Sequence, residues 1–112
     1  MQLLLGKGAK IEALDNCNHT PLHLAGWGGC TRIVELLLEQ GTPIEAMNIA
    51  NHTPLHMAAW NGQTDIVELL LEKGASIDAM DEDNDTPINL AVMSGHIDTV
   101  KLLMNKGAKL PF

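Results

Sequence analysis

A period of 33 residues constrains this chain more than any other feature. Thr20-Pro21-Leu22-His23-Leu24-Ala25 returns as Thr53-Pro54-Leu55-His56-Met57-Ala58 and again as Thr86-Pro87-Ile88-Asn89-Leu90-Ala91, each time after 33 residues. A fixed period of this length marks supersecondary units that stack, because no single unit can bury its apolar face alone. Threonine offers a side-chain oxygen to the free N–H groups of a helix start, and proline at the next position has its φ pre-set for the first turn. Each copy is therefore expected to open a helix.

The middle unit carries the pattern in full. Pro54 to Trp60 is predicted to form a short helix that packs Leu55, Met57, Ala58 and Ala59 inward, and Gly62 breaks it. Thr64 to Lys73 is predicted to form a second helix, with Ile66, Val67, Leu69, Leu70 and Leu71 on an apolar face and Asp65, Glu68 and Glu72 on a solvated one. Gly74 is placed to end it in a left-handed cap. The next connection, through Ile77 and Ala79, is predicted to be irregular or hairpin-like, as is its counterpart through Ile44 and Ala46. Asn18, Asn51 and Asn84 stand two residues before each threonine, where a tight turn needs a positive φ that asparagine tolerates.

Residues 1–14 read as the tail of a truncated unit, because Leu3-Leu4-Leu5-Gly6-Lys7-Gly8-Ala9 matches Leu69-Leu70-Leu71-Glu72-Lys73-Gly74-Ala75. The expectation is a chain cut from a longer array, or built to start inside one. Units at 15–47, 48–80 and 81–112 complete it, and together they make one domain. With 46% hydrophobic but only 3% aromatic residues, the core is expected to consist of Leu, Ile, Val and Ala.

The formal charge of −7 argues against nucleic-acid and anionic-membrane partners, which would need a basic face. No apolar run approaches the roughly 20 residues of a spanning helix, so the chain is expected to be intracellular, in the cytoplasm. Cys17 and Cys30 lie on either side of a helix of about two turns, roughly 10 Å, beyond the reach of a disulfide. Two free thiols are expected.

The threonine-proline motif, the glycines Gly29, Gly62 and Gly95 after it, and the Leu-rich helix that comes next resemble the ankyrin repeat family over the whole chain. The resemblance implies an all-α solenoid of helix–loop–helix units with β-hairpin-like connecting loops. It also implies that hairpin tips and first helices line a concave, non-catalytic surface that binds other proteins. The chain departs from the family pattern at Asn89, which replaces the motif histidine, and at Pro43 and Pro111 in the connections. The family's site of asparaginyl hydroxylation corresponds to Glu12, Glu45, Asp78 and Pro111, so that modification is not expected.

Trp27, Trp60 and Met93 occupy one position at the ends of successive first helices and are expected to form a ladder along the concave side. Large aromatic anchors are enriched at binding hot spots. The hairpin positions that vary in the family correspond to Asn16, Cys17 and His19, to Ile49, Ala50 and His52, and to Glu82, Asp83 and Asp85. A mixed apolar and acidic groove suits a protein or peptide with hydrophobic anchors followed by Lys or Arg. The plain alternative is that the tryptophans only cover helix ends and the acids form a solvated loop.

His19 with His23, and His52 with His56, are four residues apart, a spacing found among metal ligands. One of each pair falls inside the motif turn, where the resemblance implies a bracing hydrogen bond, so neither metal nor cofactor is expected. The Asn-x-Thr patterns at Asn18, Asn51 and Asn84 are accounted for by turn and cap chemistry. No phosphate loop or assisted nucleophile is present. The reading is a non-catalytic protein-interaction module. Its alternatives are an engineered or consensus-like array that self-associates end to end, through Leu3, Leu4 and Leu5 at one end and Leu102, Leu103 and Leu110 at the other, and a regulatory segment of a larger protein.

Overall fold

The computed structural model of the chain describes residues 19–110. The expectations placed on residues 1–14, on Asn16, Cys17 and Asn18 and on Pro111 lie outside them. The described residues form three helix pairs: α1 (Pro21–Gly28) with α2 (Thr31–Glu39), α3 (Pro54–Trp60) with α4 (Thr64–Glu72), and α5 (Pro87–Met93) with α6 (Ile97–Asn105). No strand occurs among the described residues. The arrangement is an all-helical repeat solenoid. The first helices stack α1 on α3 on α5, and α4 contacts α2 and α6 in a second row.

Each first helix begins at its proline, with threonine in the N-cap position. In the first two units the cap is reciprocal. The His23 N–H donates to Thr20 Oγ1 at 3.3 Å, while Nδ1 of the same histidine accepts the Thr20 N–H at 3.0 Å. Thr53 and His56 repeat this at 3.3 and 3.1 Å. The third unit departs from expectation, because the Thr86 side chain makes no capping bond. Asn89 stands where the histidine would be, and its side chain instead donates to Asp85 Oδ1 at 3.4 Å.

The core runs without interruption through all three pairs, from Leu22, Val34 and Leu37 through Leu55, Ile66, Val67 and Leu70 to Ile88, Ala91 and Leu103. Alanines at Ala25, Ala58, Ala59 and Ala91 let neighbouring first helices approach closely. Two expectations are corrected. Met57 is half-exposed rather than packed inward, because on a helix of seven residues it lies beside the buried stripe of Leu55, Ala58 and Ala59. Leu103, expected to offer apolar surface at an open end, is fully buried in the core.

The units also interlock through glycine notches. Gly62 has φ +70°, and a Cβ there would fall 2.6 Å from the His96 ring of the next unit. Gly29 receives the Gln63 side chain in the same way, at 2.7 Å. Asn51 and Asn84 have φ of 64° and 65°, as the turn requires. Each connecting loop closes by a backbone bond across its tip, Asn48 N–H to His52 C=O and Asp81 N–H to Asp85 C=O, at 3.1 and 3.0 Å. These tips are hairpin-like turns without a strand ladder.

Thr42 is a local defect. It occupies the position of Ala75 and Ala108 in the other units, is 5% exposed, and its hydroxyl finds no hydrogen-bond partner. An unpaired buried hydroxyl destabilises by about 1 kcal/mol or more. Thr42→Ala is therefore expected to stabilise the fold by about 1 kcal/mol, read as a rise of roughly 5 °C in Tm.

Candidate functional site

The site is built from the loop tips inward. Within each tip one oxygen-bearing side chain organises the turn. Asn48 Oδ1 accepts the N–H groups of Ala50 and His52, both at 2.9 Å. Asp81 Oδ1 does the same for Asp83 and Asp85, also at 2.9 Å. Asn48 and Asp81 are both buried, at 6% and 5% exposure, and they stand 33 residues apart. Sequence reasoning overlooked them, although an acceptor side chain recurring at the repeat period was a legible signal.

Histidines join each first helix to the next tip. His23 Nε2–H donates to the His52 carbonyl at 2.7 Å, and His56 Nε2–H donates to the Asp85 carbonyl at 2.9 Å. With Nδ1 accepting in the cap, both rings are fixed as neutral imidazoles that have no nitrogen lone pair left for a metal. His52 Nε2 lies 3.0 Å from Asp81 Oδ2, which ties the second tip to the third. The Glu82 N–H also donates to the Ala50 carbonyl at 3.0 Å.

Burial lowers the affinity of His23 and His56 for a proton, an effect only partly offset by their hydrogen bonds to backbone carbonyls. Protonation at Nδ1 would also set two donors face to face in the cap. Unfolded histidine takes up its proton near its ordinary value of 6.5. Between the lowered folded value and 6.5 the unfolded chain therefore binds more protons, and stability falls as pH falls through that window. Urea unfolding at pH 7.5 and 5.5 is expected to give the lower midpoint at pH 5.5.

Behind the tips lies a groove of about 250 Å³, lined by His19, Trp27, His52, His56, Met57, Trp60 and Leu90. It brings together four residues singled out from the sequence: His19, Trp27, His52 and Trp60. Trp27 and Trp60 are 38% and 39% exposed, so each indole is partly seated yet presents a face to solvent. Trp27 is further held by its carbonyl, which accepts from the Asn61 and Gln63 amides at 2.7 and 3.2 Å.

The other candidates lie outside this groove. Met93 and Ile49 are exposed on their own units, at 59% and 66%. Glu82 and Asp83 are exposed on the third tip, and Asp85 is half-buried there. Met57 and Leu90 line the groove without having been expected to. Oxygens of Asp81, Asp83 and Asp85 lie within 4.8 Å of one another, the one potential metal-ligand cluster among the described residues. Asp81 there is already engaged by two N–H groups and by His52. Cys30 is exposed and free; Cys17 lies outside the described residues.

No described helix is long and apolar enough to cross a membrane. The sequence pattern described as ankyrin repeats (3 copies) matches residues 1–81 and again 47–111. No curated protein matches the chain. Ankyrin repeats are in general protein–protein interaction modules and are typically non-catalytic. With nearly the whole sequence matched and three stacked helix pairs that each open at a threonine-proline start, the chain belongs to the ankyrin repeat family.

Proposed function

We propose that this chain recognises another protein through the surface formed by its loop tips and first helices, with Trp27 and Trp60 as the central anchors and no chemistry of its own. The observation that carries the reading is that both indoles flank one apolar groove while remaining open to solvent. Caps, carbonyl bonds and glycine notches hold that surface in place before any partner arrives, which reduces the ordering cost of binding. Met93, Ile49, His19, His52, Glu82, Asp83 and Asp85 form the surroundings of the groove. The test is capture from a cell lysate by the native chain beside a Trp27→Ala, Trp60→Ala double variant of unchanged helical content. Loss of two central tryptophans removes about 2 kcal/mol each, so a partner held by the native chain is expected to be absent from the variant. A partner captured equally by both would refute the assignment of the face.

A second reading, self-association, has its own support. The outer side of α5 and α6 carries an apolar hollow of about 380 Å³ lined by Ala91, Val92, Ile97, Val100 and Leu110, among others. A mass that rises with concentration, and returns to that of a monomer in an Ile97→Lys variant, would favour this reading.

A further inference from the structure

Resting on the proposed recognition face, we infer that the partner is a segment of extended backbone carrying an apolar side chain that enters between the two indoles. An arginine or lysine about three residues away from it lies against the third tip. The apolar half rests on the walls: Trp27, Trp60, Met57 and Leu90 make the groove, and histidines supply its only polar edge.

The cationic half rests on what adjoins that edge. His52 lines the groove and its Nε2 is 3.0 Å from Asp81. His56 lines it too, and donates to the carbonyl of Asp85 at 2.9 Å. The acidic tip therefore begins where the groove ends. Glu82 and Asp83 are exposed there beside Asp81 and Asp85, and no described lysine or arginine pairs with them. Four carboxylates in five residues repel one another, and a partner cation relieves that repulsion. Neighbouring units stack roughly 8–10 Å apart and an extended chain rises about 3.3 Å per residue, so a segment anchored at the second unit reaches the third tip about three residues on.

The test uses the indoles themselves, since the chain has two tryptophans and no tyrosine. Three pools of capped nonapeptides share a fixed leucine and differ only at the residue three positions away, which is Arg, Ala or Glu; each pool contains both orders. Titration is followed by tryptophan emission, on the native chain and on a Glu82→Gln, Asp83→Asn variant whose fold is checked by circular dichroism. The Arg pool is expected to bind roughly fivefold tighter than the Ala pool, and the Glu pool weaker than both. That ranking should vanish in the variant and at about 1 M salt. Equal binding of all three pools would overturn the cationic half and leave the groove reading standing. No emission change with any pool would overturn both.

Discussion

His56→Ala is expected to lower the stability of the chain by about 3 kcal/mol, the combined effect of losing the side-chain half of the reciprocal cap, orphaning a buried N–H, removing one bond to a buried carbonyl and opening a cavity. The native ring accepts the Thr53 N–H at one nitrogen and donates to the Asp85 carbonyl at the other, and it is fully buried. Removing it leaves that N–H without a partner, leaves the carbonyl only the Asp81 N–H, and opens a void at the junction of two units. Because total stability in a domain of this size is only about 5–15 kcal/mol, the change is large. Urea unfolding followed by far-UV circular dichroism measures it. The same variant should also flatten the pH dependence of stability, since one of the two histidines responsible is gone. A loss below about 1 kcal/mol would show that the histidine bonds contribute little beyond what water supplies.

Leu55→Ala should cost a similar amount, about 3 kcal/mol, for a different reason. Leu55 is fully buried on α3, the helix sandwiched between α1 and α5. Truncation there creates a cavity that touches both junctions, and in a stacked array the stability of each unit depends on its neighbours. A single unfolding transition at lower urea is therefore expected, rather than loss of the middle unit alone. Met57→Ala, two residues away on the same helix, is the contrast. Its side chain is half-exposed in the groove, so the stability loss should stay near or below about 1 kcal/mol while peptide binding weakens.

These contrasts mark where the sequence could be read and where it could not. The helix starts were legible because Thr-Pro chemistry is local: Pro54 begins α3 and Trp60 ends it, as the pattern required. Gly74 and Asn51 were legible for the same reason, each needing a conformation that few residues tolerate. Met57 was misplaced because seven residues give too few turns to fix which apolar side chain sits at the edge of the buried stripe. The uncapped Thr86 was missed because a cap depends on its partner three residues on, and Asn89 reaches for Asp85 instead. The roles of Asn61 and Gln63 at the Trp27 carbonyl are contacts between units, which no local pattern encodes.

The histidines fasten each tip by its main chain. His23 grips the carbonyl of residue 52 and His56 that of residue 85, while the neighbouring tips meet through the Glu82 N–H and the Ala50 carbonyl. Every one of these acceptors exists whatever side chain the residue bears. At the tips, the framework and the exposed side chains are thus written in different atoms. Ile49, Ala50, Glu82 and Asp83 can change identity while the framework beneath them stays as it is, which makes the surface one that can be retargeted by substitution without being rebuilt.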